Sequence, residues 1–596
     1  MLNAKMDRSG SAVIERMFST AMVAYIFSNL ATAIGPVVDG VIVGAHYSVD
    51  EVAAIGLSSF LLVGYRTVSA SVIAKGAHVI ASGRIGAGDK EGANRIFSLS
   101  VVLSLSAALV LALLSIAFSD RLAVLVGAHK GLAHLMKPAS AYLRGYCVGL
   151  PFFAATTVLT PFLQMDGDYN RVTIASVVMT VVDVLGDLYV VKFLHGDLFQ
   201  IGLATAVGYI ASFLITAGHF VFKKSVFRFR PKEIRWKESR EVLASGTSTG
   251  VVKLSNTFCG ILINHMLAAS FTGGVAAALS VGNQLFKFCF SLWLGAANTL
   301  MSFASMFFGE EDKKALRDVQ RIALRKGLVL TCSAAVAIFV FAGPLGGVFL
   351  RNADGATREM AAESIRFFAL SMPLNVLIYC FQQYLIGAGR KLFSCIYSFI
   401  LDFAIPVPTT LVFLALLGYR GAWAAKPAIN AAVVLVAALY ILHQRGAGFR
   451  EKMLLLPEGF GAAPGRELCI EGDSMFDVVG VSRISIAFMQ ENGFSKRDAG
   501  IVSLAIEELA GNIVQHGFAD GRPHHLQIRI LAKDDELILR LRDDCRPFDP
   551  VDKYRTELQF EPDPEKGPAI KMMMRLAREI KYTGLYGMNN LIMIIG

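Results

Sequence analysis

The chain has 596 residues, of which 54% are hydrophobic and only 17% charged, and its mean hydropathy is +0.53. A soluble protein of this length needs more charge to cover its surface, so an ordinary soluble enzyme is excluded. The net charge of +10 does not indicate nucleic-acid binding, because the basic excess lies in residues 1–452, whereas residues 453–596 carry more acidic than basic side chains.

The apolar residues occur in blocks that are long enough to cross a membrane as helices. Twelve spans are predicted, at 17–45, 52–82, 96–119, 138–163, 171–194, 200–222, 241–271, 275–308, 322–349, 362–388, 392–417 and 421–443. No cleavable signal peptide is evident, so we expect the first span to remain as the first helix. Basic residues concentrate in the even-numbered connections, eight of them in 223–240, so both ends of the membrane part are expected on the cytoplasmic side.

The membrane part contains an internal repeat. GAGDKEGANRIF at 86–97 follows the second span, and GEEDKKALRDVQ at 309–320 follows the eighth, at an offset of 223; Gly167 and Gly389 repeat at an offset of 222. Six spans per repeat is an even number, so the two halves are parallel repeats, an arrangement found in transporters. We therefore predict two pseudo-symmetric six-helix lobes.

The composition changes near residue 444, where a segment rich in Gly and Pro indicates a linker. Beyond it, alternating patterns predict strands at ELCIEGD, HLQIRILA, ELILRLRD and NNLIMII, with the second and third forming an antiparallel pair. Helices are predicted at 474–492, at 495–517 with Ser495 as N-cap, and around 568–580. This order predicts an α/β sandwich. The predicted domains are an N-lobe at 1–222, a basic linker at 223–240, a C-lobe at 241–445, a linker at 446–466 and the sandwich at 467–596.

Three acids lie inside apolar spans. Asp39 is in the first span, and Asp183 and Asp187 lie four residues apart in TVVDVLGDLYVVKF, which places both on one face of a helix. A carboxylate at mid-membrane costs roughly 2.5–3.5 kcal/mol on insertion scales, so each needs a partner, a cation or water. One interpretation is a cluster that exchanges protons or sodium. The other is pairing with a base inside the spans: Arg66, Lys75, Lys253 or Lys287.

The two six-helix halves, the DGVIVG pattern of the first span and the GAGDKEGANR loop resemble the MATE (multidrug and toxic compound extrusion) family, in particular its bacterial DNA-damage-inducible branch. This resemblance implies a cation-coupled antiporter whose ion site matches Asp39, Asp183 and Asp187, with Thr205 as a weaker ligand. Family members commonly have Asn where Asp183 stands and Pro where Leu188 stands. The extra acid favours protons, and the coupling ion is either H⁺ or Na⁺.

The second lobe offers further candidates for the substrate cavity. Asn264 stands where Asp39 would repeat, Asp402 lies on the eleventh span, and Lys287 lies in mid-span, where it would repel cationic compounds. Lys253 and Lys287 either project into the cavity or extend to an interface, and for Lys253 we expect the interface.

The C-terminal part resembles the GHKL (histidine-kinase-type) ATPase fold, and most closely the anti-sigma-factor serine kinases, through EELAGNIVQHG, ELILRLRDDC and EKGPAIKMMM. The resemblance implies that Asn512 binds Mg²⁺, Glu508 is the general base, Asp543 binds the adenine amino group, and Gly567 gives backbone N–H groups to phosphate. Cys545 replaces a family glycine, and Pro568 disrupts the second glycine motif, so ATP binding stays open and kinase turnover is not expected.

We therefore expect a polytopic α-helical membrane protein with a cytoplasmic ATPase-like regulatory domain. Its expected function is the export of small organic compounds across the bacterial inner membrane. Two alternatives stay open: a signalling receptor whose tail binds or phosphorylates a regulatory protein of the anti-sigma-antagonist type, and a lipid-linked-sugar flippase. The expected partners are a small-molecule substrate and membrane lipid, not nucleic acid. Eight cysteines without paired spacing predict neither disulfides nor a zinc site.

Overall fold

The computed structural model describes residues 12–125, 135–222, 225–270, 273–350, 354–444, 448–463, 465–472, 474–533, 536–549 and 576–595. Within these residues the first lobe comprises α1 (Ala12–His46), α2 (Val49–Arg66), α3 (Val72–Gly86), α4 (Lys90–Ala117), α5 (Ser119–Leu125), α6 (Met136–Met165), α7 (Tyr169–Tyr189) and α8 (Leu198–Phe222). One π-helical turn, Thr67–Ser71, joins α2 to α3, and another, Val190–Leu194, prolongs α7.

The second lobe has the same order of helices. It comprises α9 (Ser239–Ser270), α10 (Gly273–Gly309), α11 (Lys313–Val340), α12 (Ala342–Phe349), α13 (Gly355–Gly387), α14 (Lys391–Phe399), α15 (Pro406–Leu417) and α16 (Gly421–His443), followed by the short α17 (Phe449–Lys452). A π-helical turn, Ile400–Ala404, joins α14 to α15.

Ten helical stretches among the described residues are long and apolar enough to cross a membrane, whereas the sequence predicts twelve spans. One of the ten, Lys391–His443, contains the eleventh and twelfth predicted spans together. The seventh predicted span lies in α9, which is not among the ten. The chain is therefore a multi-pass membrane protein, and the number twelve stays a prediction.

The repeated loop has the same local structure in both lobes. Asp89 and Asp312 each cap the following helix, since their side chains accept the backbone N–H three residues later at 2.7 and 2.9 Å. The residue before each cap has a left-handed backbone, with φ of +82° at Gly88 and +53° at Glu311. The second lobe thus keeps the turn but places a charged residue where the first lobe has glycine.

The two lobes meet along a seam, which is the contact of α3 in the first lobe with α9 and α10 in the second. Gly86 lies against the carbonyl of Met306, and Gly309 lies against the carbonyl of Gly83, so the offset of 223 relates the two contacts. A Cβ on either Gly86 or Gly309 would overlap the facing carbonyl, which explains the need for glycine. The C-terminal domain docks at this end of the molecule, which we call the domain side.

The described residues of the C-terminal domain form one sheet with two helices on one face. It comprises β1 (Glu467–Gly472), α18 (Met475–Glu491), α19 (Lys496–Ala505, prolonged by wider turns to Gly517), β2 (Leu526–Lys533), β3 (Glu536–Asp543), β4 (Glu579–Leu585) and β5 (Met588–Ile595). The strand order is β1-β2-β3-β5-β4, and all neighbouring pairs are antiparallel. The four predicted strands, the first two helices and the Ser495 cap are confirmed.

One predicted element is wrong at its end. The predicted helix at 568–580 overlaps strand β4, because Glu579 and Ile580 pair in register with Ile594 and Met593 of β5. Residues 568–575 of that prediction lie outside the described residues. The alternating segment EIKYTGL satisfies its backbone N–H and C=O groups through β5, so long-range pairing decides its structure.

The sheet has two chemically different faces, and both are buried. Alternate side chains such as Ile528 and Leu539 pack against α18 and α19. The side chains between them include Arg529, Arg540 and Arg542, which are 1%, 6% and 1% exposed because this second face lies against the membrane part. A second face that would be solvated in an isolated sandwich is therefore an interface here.

Three carboxylates meet these three arginines. Glu310, at the end of α10, pairs with both Arg540 (Nη1 to Oε2, 2.9 Å) and Arg542. Arg542 also lies 2.9 Å from Asp312. Arg529 is held by an ion pair from its Nη1 to Asp312 (3.3 Å) and by a hydrogen bond from its Nε to Glu467 (2.8 Å). Because the charges match in number, the buried polar face is neutral overall.

The turn of the β4–β5 hairpin reaches between the two lobes. The Tyr586 hydroxyl bonds to His78 Nε2 at 2.9 Å and to Ser82 Oγ at 3.1 Å on α3, and its ring stacks on Phe303 of α10 with centroids 5.1 Å apart. Its backbone N–H donates to the carbonyl of Met165 at 2.6 Å. Tyr586 is 1% exposed and belongs to the same apolar core as the helices it contacts. The hairpin therefore binds both lobes at once.

We predict that Glu310→Gln weakens docking of the C-terminal domain much more than Glu311→Gln. The first change leaves Arg540 and Arg542 buried without a full counter-charge, and breaking a buried pair costs about 3–5 kcal/mol. The second removes an exposed pair with Lys533, worth about 0–1 kcal/mol. Proteolysis of the linker at 448–463 in the detergent-purified chain measures docking. Equal cleavage rates for the two variants would contradict this account of the interface.

Candidate functional site

The acidic cluster depends on how α1 and α7 pack. Ser28 Oγ lies 3.0 Å from Ser176 Oγ, and Thr180 Oγ1 donates to the carbonyl of Ala31 at 3.1 Å, so the two helices run parallel in a fixed register. Gly35 continues this register beside Thr180, where a Cβ would lie 3.7 Å from its side chain. One turn further along, the register brings Asp39 level with the segment that holds Asp183 and Asp187.

Asp183 and Asp187 are 9% and 1% exposed, and Asp39 is half-buried. Both oxygens of Asp187, and one oxygen each of Asp39 and Asp183, are buried without a hydrogen-bond partner among the described residues. The three carboxylates interact electrostatically, Asp187 with both of the others. The structure therefore brings together the three acids that the sequence predicts, and it leaves oxygens free to hold a cation or a proton.

Helix α8 forms the other wall of this cluster. The Thr205 hydroxyl lies beside the Asp183 carboxylate, and its hydrogen bond goes to the carbonyl of Ile201 at 3.5 Å. Gly208 brings α8 close to α7, since a Cβ there would lie 3.4 Å from that of Asp183. Thr205 thus contacts the cluster through Asp183.

In the described contacts, the bases Arg66, Lys75 and Lys253 of the membrane spans do not pair with these acids. Lys75 Nζ donates to Asn298 Oδ1 of α10 at 3.0 Å, and Lys253 Nζ donates to Ser71 Oγ at 2.6 Å. We expected the Lys253 side chain to extend to the membrane–water interface, and this is wrong. Its ammonium group instead reaches across the seam between the lobes to the hydroxyl of Ser71. Arg66 lies over the Phe153 ring, 5.6 Å from its centroid.

The candidates of the second lobe are less closely grouped. Asp402 lies in the π-helical turn after α14, is buried, and faces Asn256 Nδ2 at 3.4 Å and the charge of Lys426. Lys287 is exposed on α10. The side chain of Asn264 lies outside the described residues.

The nucleotide residues of the C-terminal domain are only partly in place. Glu508 and Asn512 lie half-buried on the prolonged helix α19, and Gly567 lies outside the described residues. The carboxylate of Asp543, the expected adenine ligand, accepts bonds from Asn589 Nδ2 at 2.6 Å and from the backbone N–H of Cys545 at 2.9 Å. Burial raises the pKa of Asp543.

Cys545 stands where the family has glycine, and its side chain fills space beside the helix. A Cβ on Gly517, at the end of that helix, would lie 2.8 Å from Cys545 Sγ. Cys545 therefore occupies this gap, and the bonds from Asn589 Nδ2 and from the Cys545 N–H both go to one oxygen of Asp543, Oδ1. The thiol narrows the space beside the expected adenine ligand.

A ligating cluster that the sequence does not predict lies next to this motif. His524, Asp544 and Cys545 are buried with ligand atoms within 4.8 Å of one another. His524 Nδ1 contacts Asp544 at 3.2 Å and its Nε2 contacts Asp520 at 2.7 Å, while Asp544 also pairs with Arg16 of α1 at 2.8 Å. These bonds already use the histidine nitrogens and the aspartate, so the cluster is a link between the domain and α1.

Comparison with known proteins agrees with this division of the chain. A family model described as MatE matches residues 24–188 and 249–410, and one described as histidine kinase-like ATPase domain matches residues 477–595. Multidrug export protein MepA of Staphylococcus aureus (strain N315) is 22% identical over 376 residues, covering 62% of this chain and 81% of that protein. The probable multidrug resistance protein NorM of Listeria innocua is 22% identical over 233 residues, covering 37% of this chain and 50% of that protein.

Solved structures show the same fold. An outward-facing multidrug resistance MATE family transporter of the MOP superfamily superposes with a TM-score of 0.68 at 18% identity, covering 73% of this chain and 97% of that one. A MOP superfamily transporter from Pyrococcus furiosus, described as having a binding pocket of reverse polarity, gives 0.66 at 18% identity, covering 72% and 95%.

The fold is that of a multi-pass membrane transporter with a histidine kinase-like ATPase domain at its C-terminal end. Because the MatE matches together span more than half of the sequence, the chain belongs to the MATE family of multidrug efflux transporters.

We predict that the full-length protein does not bind MgATP with a Kd below about 1 mM in calorimetric titration, because the Cys545 side chain fills space beside the expected adenine ligand and Asp543 Oδ1 already accepts two hydrogen bonds. Asp543→Asn is the matched variant, since it keeps the volume and removes the charge. Tighter binding that Asp543→Asn abolishes would show a working adenine site.

Proposed function

We propose that the chain is a cation-coupled antiporter that exports small organic compounds across the bacterial inner membrane by alternating access. The observation that carries the proposal is the acidic cluster, in which buried carboxylate oxygens of Asp39, Asp183 and Asp187 have no protein partner among the described residues. Close carboxylates repel one another, so uptake of a cation or proton relieves a real energetic cost.

The orientation follows from the distribution of charge. The even-numbered connections, including the basic segment 223–240, lie on the domain side, which the positive-inside rule places in the cytoplasm. The seam is closed on that side by the contacts of Gly86 and Gly309. In this state the cluster loads its ion from the opposite side.

The coupling ion is H⁺ or Na⁺, both of which suit oxygen ligands. Each of the three carboxylates can take up its own proton, whereas a single Na⁺ between them leaves two negative charges, and this favours H⁺ as the ion. Thr205 places a hydroxyl beside Asp183, where it is a further oxygen ligand for the ion.

The C-terminal domain acts as a regulator that stabilises the closed domain side. Its hairpin contacts α3 and α10 through Tyr586, and its polar face binds the end of α10 through Glu310. Opening the seam on this side requires those contacts to break. A kinase acting on a protein partner needs a nucleotide site, and the engaged Asp543 favours the regulatory role over that alternative.

Asp187→Asn is expected to abolish ion-driven efflux in proteoliposomes, because the change removes the most buried carboxylate of the cluster at constant volume. Asp197→Asn is the control: Asp197 accepts the N–H of Phe199 at 3.0 Å at the start of α8, and asparagine caps helices equally well. Full proton- and sodium-driven efflux by Asp187→Asn would end the proposed coupling mechanism.

Tyr586→Phe is expected to open the seam more often, because it removes two hydrogen bonds to α3, each worth about 0.5–1.5 kcal/mol. The readout is maleimide labelling of Ser305→Cys, a buried seam position, after the eight native cysteines are replaced. Together the two bonds are worth about 1–3 kcal/mol, so we expect labelling to rise by roughly 5- to 150-fold.

Tyr582→Phe is the matched control for this experiment. Its hydroxyl bonds to Asn589 and to the N–H of Phe548 within the domain, and not to the seam. Unchanged labelling in Tyr586→Phe, or the same increase in both variants, would contradict a locking role of the hairpin.

A further inference from the structure

We propose that the space between the lobes binds organic anions through Arg66, Lys75 and Lys253. The inference deepens the proposed export function by naming the charge class of its substrate. It starts from three cationic side chains that lie along the seam within membrane-spanning segments.

Each of the three bases has a neutral partner. Lys75 Nζ donates to the amide oxygen of Asn298, and Lys253 Nζ donates to the hydroxyl of Ser71. The guanidinium of Arg66 lies over an aromatic ring. All three side chains are half-buried and therefore keep some solvent exposure. None of the three contacts named above involves a carboxylate.

The nearby acids do not serve as counter-ions. Both oxygens of Asp187 and one of Asp183 have no hydrogen-bond partner among the described residues. Arg66 and Lys253 also lie close enough to interact with each other electrostatically, although they belong to different lobes. Two like charges held near each other in a membrane protein are unfavourable, and an anion between them removes this repulsion.

The second lobe contains an instructive contrast. Lys426 is also half-buried, but it lies 5.2 Å from the Phe286 centroid and its charge interacts with that of Asp402. The positive charge of Lys426 is therefore compensated by the carboxylate of Asp402. The bases of the seam differ from it in having charge available for a ligand.

The three bases are spaced along the helical segment from Arg66 to Lys75, with Lys253 bonded to Ser71 between them. Lys75 precedes Gly76, which lies against the carbonyl of Val242 at the tight α3–α9 contact. Arg66 lies nine residues earlier, about 13 Å away along a helix, and the Ser71–Lys253 bond lies between them. A ligand at this surface therefore meets cations at successive depths, from the middle of the seam to its closed end.

Aromatic side chains surround the outermost of these cations. Phe153 and Tyr209 lie beside Arg66 with ring centroids 5.0 Å apart, and Tyr209 bonds to Tyr146 at 2.7 Å. Such a wall suits an apolar or aromatic body, while the bases suit a carboxylate or sulfonate group. The chemistry indicates small aromatic anions rather than organic cations.

The Lys75–Asn298 and Lys253–Ser71 bonds also connect substrate binding to lobe movement. Both bonds join one lobe to the other, so a ligand anion that accepts a hydrogen bond from either lysine competes with a contact of the seam. Binding of the anion would thus loosen the seam at the place where it must open.

Two probes of matched shape and opposite charge test the proposal: 2-naphthalenesulfonate and 2-naphthyltrimethylammonium. Equilibrium dialysis of the full-length protein in detergent measures their binding without any coupling ion gradient. We expect the sulfonate to bind more tightly, and Lys75→Gln or Lys253→Gln to weaken its binding about tenfold, the loss expected for one charge-assisted hydrogen bond.

Two further variants separate a direct role from damage to the fold. Lys75→Arg keeps the charge and is expected to restore most of the sulfonate binding. Lys326→Gln removes a lysine that also crosses between the lobes but lies 3.0 Å from Glu15, and it should leave sulfonate binding unchanged.

Tighter binding of the ammonium probe, binding of neither probe, or equal loss in Lys326→Gln and Lys75→Gln would overturn the anion proposal. Its failure differs from failure of the antiport mechanism, because Asp187→Asn should leave sulfonate binding intact while abolishing ion-driven transport.

Discussion

The buried ion pairs between the C-terminal sheet and the end of α10 decide how the two parts of this molecule work together. Glu310 accepts from both Arg540 and Arg542, while the Nε atom of each arginine has no hydrogen-bond partner among the described residues. Desolvating such charges is favourable only when each one is paired and hydrogen-bonded. Any other docking position of the domain would leave buried charges unpaired, which is unfavourable. The observed position also places Tyr586 at the seam.

The docking surface explains why the C-terminal domain pairs its buried arginines with the repeated loop of the second lobe. The two loops share the capping aspartate and the left-handed residue, but Ala87–Gly88 of the first lobe corresponds to Glu310–Glu311 of the second. Those two acids are the ones that reach Arg540, Arg542 and Lys533. A pseudo-symmetric scaffold thus binds a single domain because one of its two equivalent turns carries negative charge.

Much of this architecture could be predicted from the sequence because it is encoded locally. Apolar blocks, the repeated loop and the strand alternation predict the lobes and most of the sheet, and the i, i+4 spacing predicts that Asp183 and Asp187 share a face. The interface could not be predicted in this way. Arg529, Arg540 and Arg542 alternate with apolar residues as a solvated strand face does, and only long-range contact shows that they are buried.

The positions of the acids and bases suggest how transport energy is used. Asp39, Asp183 and Asp187 lie within the first lobe, whereas the Lys75–Asn298 and Tyr586–His78 bonds lie across or against the seam. Neutralising the acids therefore breaks none of these seam contacts directly. Each bond contributes only about 0.5–1.5 kcal/mol, so the ion and the ligand anion need to supply small increments rather than one large one. A regulatory domain that adds a few such bonds has a proportionate effect on the same equilibrium.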